Sequence, residues 1–228
     1  PETGALVSLK TKPSGREMLG GPANVLVLEK HTGGGNHNAG DFTNPRPQRP
    51  RLSNSSEHKP VITVAESAQA ITVEARSDFY AARCFTRFNK QHPRIEFTSE
   101  VTDLPNLTVL VSEFPLAETP AEIRRGIPFG FSRDDNYVGG ILPAVRWSDY
   151  SAPGKGGVAL LDHGLTGREI VGNTPIIYLC NATDKYHGYV NAWLSGKGTQ
   201  RFEYALVAHD ADWAAARVPR LAWEYNCP

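Results

Sequence analysis

Apolar and polar residues alternate with a period of two along most of this chain. Valine, isoleucine, threonine and aromatic residues form short runs, and glycine, proline, asparagine and aspartate separate them. Such alternation places one face of a β-strand against a core and the other face against solvent. The pattern predicts strands over residues 5–11, 23–29, 61–66, 70–76, 80–88, 94–101, 107–114, 145–149, 158–162, 175–179 and 202–209.

Helical character is predicted in one place, near the C-terminus. Residues 212–217 are alanine-rich after an aspartate-rich start, which predicts a short helix that ends at Val218 and Pro219. No internal repeat of roughly 20–50 residues is visible, which argues against a propeller. Many strands with almost no helix indicate an all-β sandwich, or a still larger pair of stacked sheets, formed as a single domain over residues 1–228.

The first of two predicted loops covers residues 31–59. This stretch is rich in glycine, asparagine, proline and arginine and contains almost no apolar residues. Loops of this length inside a compact domain are usually functional or disordered. His37 and Asp41 in its glycine-rich part are therefore candidates to surround a sugar, and the competing interpretation is a solvated loop.

The second predicted loop covers residues 126–140, where Arg133, Asp134 and Asp135 stand between apolar flanks. Arginine and aspartate can bind vicinal hydroxyls, and the nearby Trp147 can stack on a sugar face. A buried Arg–Asp pair that ties two loops together requires the same residue types. Both interpretations stay open at the level of the sequence.

Charge and hydropathy exclude several classes of partner. The chain has 24 Lys+Arg and 24 Asp+Glu, so no net field attracts nucleic acid or an anionic membrane. No apolar run reaches the roughly 18 residues needed to cross a bilayer. We therefore expect a soluble protein without a nucleic-acid or membrane partner, and we favour the cytoplasm. The chain begins at Pro1 and its only methionine is Met18, so we expect a fragment of a larger polypeptide.

The motifs of the main catalytic classes do not occur in this chain. It lacks GxSxG, HExxH, a P-loop and a GxGxxG followed by a helix, and its three cysteines form no CxxC pair. His209, Asp210 and Asp212 come nearest to a metal cluster. They close a strand and open a helix, where aspartate caps backbone amides, so we favour a capping role. We predict no catalytic residue and no metal site here.

Five stretches that follow one another along nearly the whole chain carry a family resemblance. They are residues 3–9 (TGALVSL) with 14–19 (SGREML), 127–130 (IPFG), 143–151 (PAVRWSDYS), 157–162 (GVALLD), and 202–206 (FEYAL) with His209, Asp212 and Trp213. In this order they resemble the C-terminal β domain of the α-mannosidases of glycoside hydrolase family 38. The loop at residues 33–42 departs from that family, which usually carries tryptophan and aspartate there.

The resemblance implies a fold and a role. The fold would be a galactose-mutarotase-like super-sandwich of antiparallel sheets with a short C-terminal helix. The intact protein would be a retaining, zinc-dependent α-mannosidase whose nucleophile and zinc ligands lie in a catalytic domain outside this chain, so this segment alone is predicted to be inactive and to need no cofactor. Its expected partners are that catalytic domain and α-mannosides, which it would help to bind through Arg133, Asp134, His37 and Asp41.

Two other functions remain as alternatives. A stand-alone carbohydrate-binding module would display a row of solvent-facing aromatic side chains, whereas the four tryptophans are scattered among apolar neighbours. A mutarotase-like enzyme would need a histidine and a carboxylate that face each other across one cleft. The residues available for such a pair are His163, His187, Glu169 and Asp184.

Overall fold

A computed structural model describes residues 2–31, 49–135, 139–183, 185–186, 189–190 and 195–227. The strands are β1 Val25–Lys30, β2 Arg51–Asn54, β3 Val61–Glu66, β4 Ala70–Arg76, β5 Arg83–Asn89, β6 Arg94–Thr102, β7 Thr108–Glu113, β8 Glu122–Ile127, β9 Gly130–Arg133, β10 Leu142–Pro143, β11 Trp147–Ala152, β12 Gly156–Asp162, β13 Gly167–Val171, β14 Thr174–Ala182, β15 Lys185–Tyr186, β16 Tyr189–Val190 and β17 Thr199–His209. One α-helix, α1, covers Val218–Asn226.

Two antiparallel sheets contain nearly all of these strands. The large sheet has nine strands in the order β3-β4-β5-β6-β17-β12-β11-β8-β9, and the small sheet has six in the order β10-β13-β14-β7-β1-β2. Strands β15 and β16 form a separate hairpin. The last strand, β17, therefore lies in the middle of the large sheet, between β6 and β12.

The main core lies between the inner faces of the two sheets. Leu26 and Leu110 of the small sheet belong to the same buried cluster as Phe97 and Leu160 of the large sheet. Each of these side chains is at most 1% exposed. Removing apolar area from water stabilises the fold by roughly 25 cal/mol per Å², which explains why the alternating pattern determines which face of each strand turns inward.

A buried hydrogen-bonded network joins the two sheets through this core. The Tyr204 hydroxyl donates to Asn24 Oδ1 at 2.6 Å, and Ser112 donates to the same oxygen at 3.0 Å. Ser99 Oγ lies 2.9 Å from the Tyr204 oxygen. Burial raises the pKa of Tyr204, so the phenol stays protonated and can donate. The tyrosine of the FEYAL stretch is thus a bridge between the sheets.

One half of the outer face of the large sheet carries a cross-strand ladder of charges. Arg83 lies 3.0 Å from Glu74 and 3.6 Å from Glu100, and Arg201 continues the ladder with Glu100 at 2.9 Å and Glu203 at 2.7 Å. Exposed pairs of this kind contribute about 0–1 kcal/mol each. This half of the face needs no covering element.

The other half of that face is apolar and is covered by the C-terminal segment. Val218 and Ala222 of α1 pack against Trp147, Leu161 and Val207 of the large sheet. The predicted all-β architecture of two antiparallel sheets with a short C-terminal helix is therefore confirmed.

The predicted position of that helix is wrong. Residues 213–217 form turns, and α1 begins where the helix was expected to end. Pro219 lies in the first turn of α1, where a backbone N–H has no partner within the helix and proline is well tolerated. Asp212 does cap backbone amides, but they belong to a turn and not to a helix, because its Oδ1 accepts the N–H groups of Ala214 at 2.8 Å and Ala215 at 2.9 Å.

Three other stretches differ from the prediction in the kind of structure they form. The presumed loop 31–59 contains β2 and a 3-10 helix, Ser55–Glu57, which Asn54 caps. The presumed loop 126–140 contains the end of β8 and all of β9. Residues 5–11, predicted as a strand, form only isolated bridges at Leu6 and Lys10. No helix in the described part of the chain combines the length and apolar character required to span a membrane.

Candidate functional site

The hairpin of β8 and β9 holds Arg133 and Asp134 at one edge of the large sheet. Asp134 is largely buried there. Its Oδ2 accepts Arg125 Nε at 2.6 Å, its Oδ1 accepts Ser132 Oγ at 2.9 Å, and its backbone N–H donates to the Ile123 carbonyl at 3.0 Å. Asp134 therefore fixes the shape of the hairpin.

A second acidic residue of the hairpin is also used in an ion pair. Asp135 binds the buried Arg124, whose hydrogen bond lowers the pKa of Asp135. The interpretation of this stretch as Arg–Asp pairing is thus observed for both aspartates, with the arginines of β8 as partners. Arg133 is exposed and has no ion-pair partner among the residues that the structure describes. Its proposed contact with sugar stays a prediction.

The other two predicted sugar-binding residues, His37 and Asp41, lie outside the described residues. The segment is described at its two flanks, at His31 and again from Arg49. The Arg49 guanidinium lies 4.0 Å from Glu29 and 5.5 Å from the centre of the Tyr178 ring.

The described end of this segment and the hairpin lie at different edges. After β2, at the edge of the small sheet, His58 reaches Asp78, which follows β4 of the large sheet. The hairpin, by contrast, ends the large sheet at the edge opposite β3. A contact of Arg133 or Asp134 with His37 or Asp41 remains a prediction.

The aromatic side chains near the hairpin form a stack that the sequence did not indicate. Trp147 and Trp213 are nearly parallel, with ring centres 5.5 Å apart and planes inclined by 17°. Phe131 of β9 contacts Trp213 with ring centres 4.7 Å apart. Two of the tryptophans that looked scattered in the sequence therefore meet, and Trp147 is buried beneath the hairpin rather than presented to a sugar.

Asp149 and His209 form a buried pair beside this stack. His209 Nε2 lies 2.6 Å from Asp149 Oδ1, and His209 Nδ1 lies 2.7 Å from the Ala211 carbonyl. Burial favours the neutral imidazole, but the hydrogen bond and charge of Asp149 outweigh it, so the pKa of His209 is raised. The pair ties β17 and β11 to the turn before α1, which is a structural role.

One chain of hydrogen bonds has the connectivity of a serine-hydrolase triad. His58 Nε2 lies 3.2 Å from Ser53 Oγ, and His58 Nδ1 lies 2.7 Å from Asp78 Oδ1. A triad aspartate acts from a buried position, where its charge is not screened by water. The Asp78 side chain is 86% exposed, so this arrangement lacks the electrostatic setting of the reaction.

His163 and Glu169, the two described candidates for mutarotase chemistry, each contact another residue. Within the described ranges, no group of three or more histidine, cysteine, aspartate or glutamate side chains could hold a metal ion. His163 lies 3.4 Å from Glu203, and Glu169 accepts the Tyr178 hydroxyl at 2.6 Å. The other two candidates, Asp184 and His187, lie outside the described residues.

Comparison with known proteins gives a match in fold. No protein-family model and no curated protein sequence matches this chain. An α-mannosidase from Enterococcus faecalis V583 matches 100% of this chain with a TM-score of 0.80 at 12% identity, over 30% of its own length. A glycosyl hydrolase family 38 protein from Enterococcus faecalis matches 100% of this chain with a TM-score of 0.79 at 12% identity, over 31% of its own length. The chain therefore spans about three tenths of each solved structure.

Proposed function

We propose that this chain is the C-terminal β domain of a family 38 α-mannosidase. The observation that carries the proposal is the agreement over the full chain length with part of two solved structures, one an α-mannosidase and one a family 38 glycosyl hydrolase. The five stretches of sequence between residues 3 and 213 that resemble this family support the same proposal. Because the sequence identity is only 12%, the shared fold supports the proposal more strongly than these stretches do.

In this proposal the domain is an accessory to a catalytic domain that holds the nucleophile and the zinc ion. Residues of the five family-like stretches hold the fold together, as expected for an accessory domain. Tyr204 joins the sheets, His209 ties β17 to its neighbours, and Trp147 supports the hairpin of β8 and β9. The intact protein would hydrolyse α-linked mannose with retention of configuration.

The proposal predicts that the isolated 228-residue chain hydrolyses no aryl α-mannoside and binds no stoichiometric zinc. The intact polypeptide should hydrolyse the same substrate, because it supplies a carboxylate nucleophile and the metal. The measurement is release of nitrophenol from nitrophenyl α-mannoside by each protein, with metal analysis of both. Turnover by the isolated chain that a chelator abolishes would contradict an accessory role.

We further propose that Arg133 reaches the sugar site of the intact enzyme, with Asp134 holding the hairpin that presents it. Arg133→Ala should lower kcat/KM roughly tenfold, which corresponds to about 1.4 kcal/mol of transition-state binding. The melting temperature should not change, because Arg133 is exposed and unpaired among the described residues. Arg76→Ala is the control for activity, because Arg76 is an exposed arginine on β4, in the other half of the large sheet. If kcat/KM is unchanged in Arg133→Ala, Arg133 does not contact the sugar. The predicted roles of His37 and Asp41 beside it would then fail as well.

A stand-alone carbohydrate-binding module is the second candidate. The exposed aromatic side chains of Phe131 and Trp223, which are 45% and 56% exposed, favour it over a mutarotase-like enzyme. Titration of the isolated chain with methyl α-mannoside distinguishes a carbohydrate-binding module from an accessory domain. Saturable binding by the isolated chain supports the module, and binding only by the intact polypeptide supports the accessory domain.

A further inference from the structure

A fully exposed phenylalanine stands at the tip of the β8–β9 hairpin. Ile127 pairs with Gly130, so Pro128 and Phe129 form a two-residue turn. The Phe129 side chain has a relative exposure of 109%, the highest of the exposed large apolar residues in the described part of the chain. Such exposure forgoes the free energy that burying a phenyl ring would provide.

The backbone of this residue is in an unfavourable conformation for its type. Phe129 has a φ of +66°, in the left-handed region that glycine adopts at the second position of a turn after proline. A bulky side chain in this region is an uncommon outlier that costs free energy. Neither the exposure nor the strain benefits this domain, and together they indicate a role outside it.

The base of the hairpin holds the tip rigidly. Phe131 packs on Trp213, and Trp213 stacks on the buried Trp147. Gly126 fits so closely that an added Cβ would lie 2.3 Å from the Val145 carbonyl oxygen and 2.7 Å from Trp147 Nε1. A rigid presentation reduces the conformational entropy lost on binding.

The surroundings of the tip suit an apolar pocket in another protein surface. Ile127 and Val145 are 36% and 40% exposed. A sugar would need hydrogen-bonding side chains around the ring, and Ile127, Pro128, Gly130 and Val145 have none. Clustered exposed apolar residues with one central aromatic anchor are typical of a protein–protein contact.

Three cavities among the described residues do not suit the phenyl ring of a second copy. Two of them have volumes of only about 30 Å³ and 10 Å³. A cavity needs roughly 150 Å³ to hold a benzene ring. The larger cleft, about 420 Å³, is lined mostly by charged or polar groups, including Glu57, His58, Lys59, Arg76 and Asp78.

We propose that Phe129 anchors this domain to the catalytic part of the same polypeptide by inserting into an apolar pocket there. This inference rests on the proposed function, in which the solved structures that share the fold are about three times longer than this chain. The rest of such a polypeptide is covalently linked to this domain. A preformed tip would therefore fix the orientation of this domain relative to the catalytic part.

The direct test is photo-crosslinking in the intact polypeptide, with a benzophenone amino acid in place of Phe129. Mass spectrometry of the digested product should place the crosslink within the same polypeptide, at apolar residues outside this 228-residue domain. A crosslink between two copies, or none above that of a benzophenone at Val64 on the opposite edge of the large sheet, would overturn the inference. An intact polypeptide that lacks any glycosidase domain would instead reject the proposed function.

Substitution gives the second arm of the test. Phe129→Gly should leave the melting temperature of the isolated chain unchanged or raise it, because glycine accepts the positive φ. In the intact polypeptide the same variant should shorten the half-life of mannosidase activity at elevated temperature about tenfold, and Val64→Ala should not. A fall in the melting temperature of the isolated chain would mean that Phe129 serves this domain itself, and would overturn the proposal.

Discussion

Arg168→Met is expected to lower the free energy of unfolding by about 3–5 kcal/mol. Arg168 Nη2 lies 2.5 Å from Asp162 Oδ2, and their side chains are 2% and 1% exposed. Arg168 also donates to Ser148 Oγ at 3.1 Å and to the Leu165 carbonyl at 2.6 Å. Methionine fills similar space but leaves the Asp162 carboxylate buried without a counter-charge. Urea unfolding followed by tryptophan fluorescence measures the loss.

The pKa of Asp162 predicts how part of this loss can be recovered. Burial raises the pKa of Asp162 and the Arg168 charge opposes that rise, so removing Arg168 should raise the pKa further. Asp162→Asn with Arg168→Met should therefore recover about half of the stability, because the amide is neutral and can still accept the Leu165 N–H. Arg201→Met, at an exposed ion pair, should cost less than about 1 kcal/mol. Equal losses for Arg168→Met and Arg201→Met would show that water compensates the buried charge.

Gly156→Ala is expected to destabilise the domain by about 3 kcal/mol or more. Gly156 has a φ of +73°, and an added Cβ would lie 2.0 Å from the His209 carbonyl oxygen and 2.6 Å from Asp210 Cα. These are backbone atoms at the end of β17, which cannot move without breaking its pairing with β12. The shift in the urea midpoint at constant slope measures the effect.

Gly154→Ala is the matched control for this substitution. Gly154 has a φ of +70° in the turn between β11 and β12, two residues before Gly156, and apart from its chain neighbours no atom lies within 4 Å of its would-be Cβ. Its cost should be only that of the left-handed backbone, about 1–2 kcal/mol. The difference between the two variants isolates the clash with β17. Similar losses of stability in both variants would mean that the backbone at residue 156 moves away from β17 at little cost.

Strands rich in β-branched residues and bounded by turn residues could be predicted from the sequence with correct ends. β3 and β4 have the predicted bounds, because valine, isoleucine and threonine are concentrated in them and clear turn residues separate the two strands. β8 was missed because its sequence, EIRRGI, contains two adjacent arginines and a glycine. Those arginines are held by Asp134 and Asp135, which belong to the supposed loop. Pairing of this kind between separate segments leaves no periodic signal.

The surroundings of the candidate site could not be predicted from the sequence, because they depend on contacts between residues that are distant along the chain. Trp147 and Trp213 looked unrelated along the chain, yet they stack because β11 and the turn before α1 lie on the same face of the large sheet. The exposure of Phe129 could not be predicted either, since IPFG reads equally well as a buried turn. By contrast, the capping by Asp212 could be predicted, because it requires only amides two and three residues ahead.

The central place of β17 has a consequence for how this protein is made. During synthesis β6 and β12 leave the ribosome long before residues 199–209, and neither can gain its β17 neighbour until that last strand arrives. Until then the large sheet is two separate pieces, each with an unpaired inner edge and exposed core residues such as Phe97 and Leu160. Pairings this distant in sequence form slowly, and half-finished sheets aggregate readily. The nascent chain therefore exposes both inner edges until residues 199–209 have been added, and protection of these edges over that interval would limit aggregation.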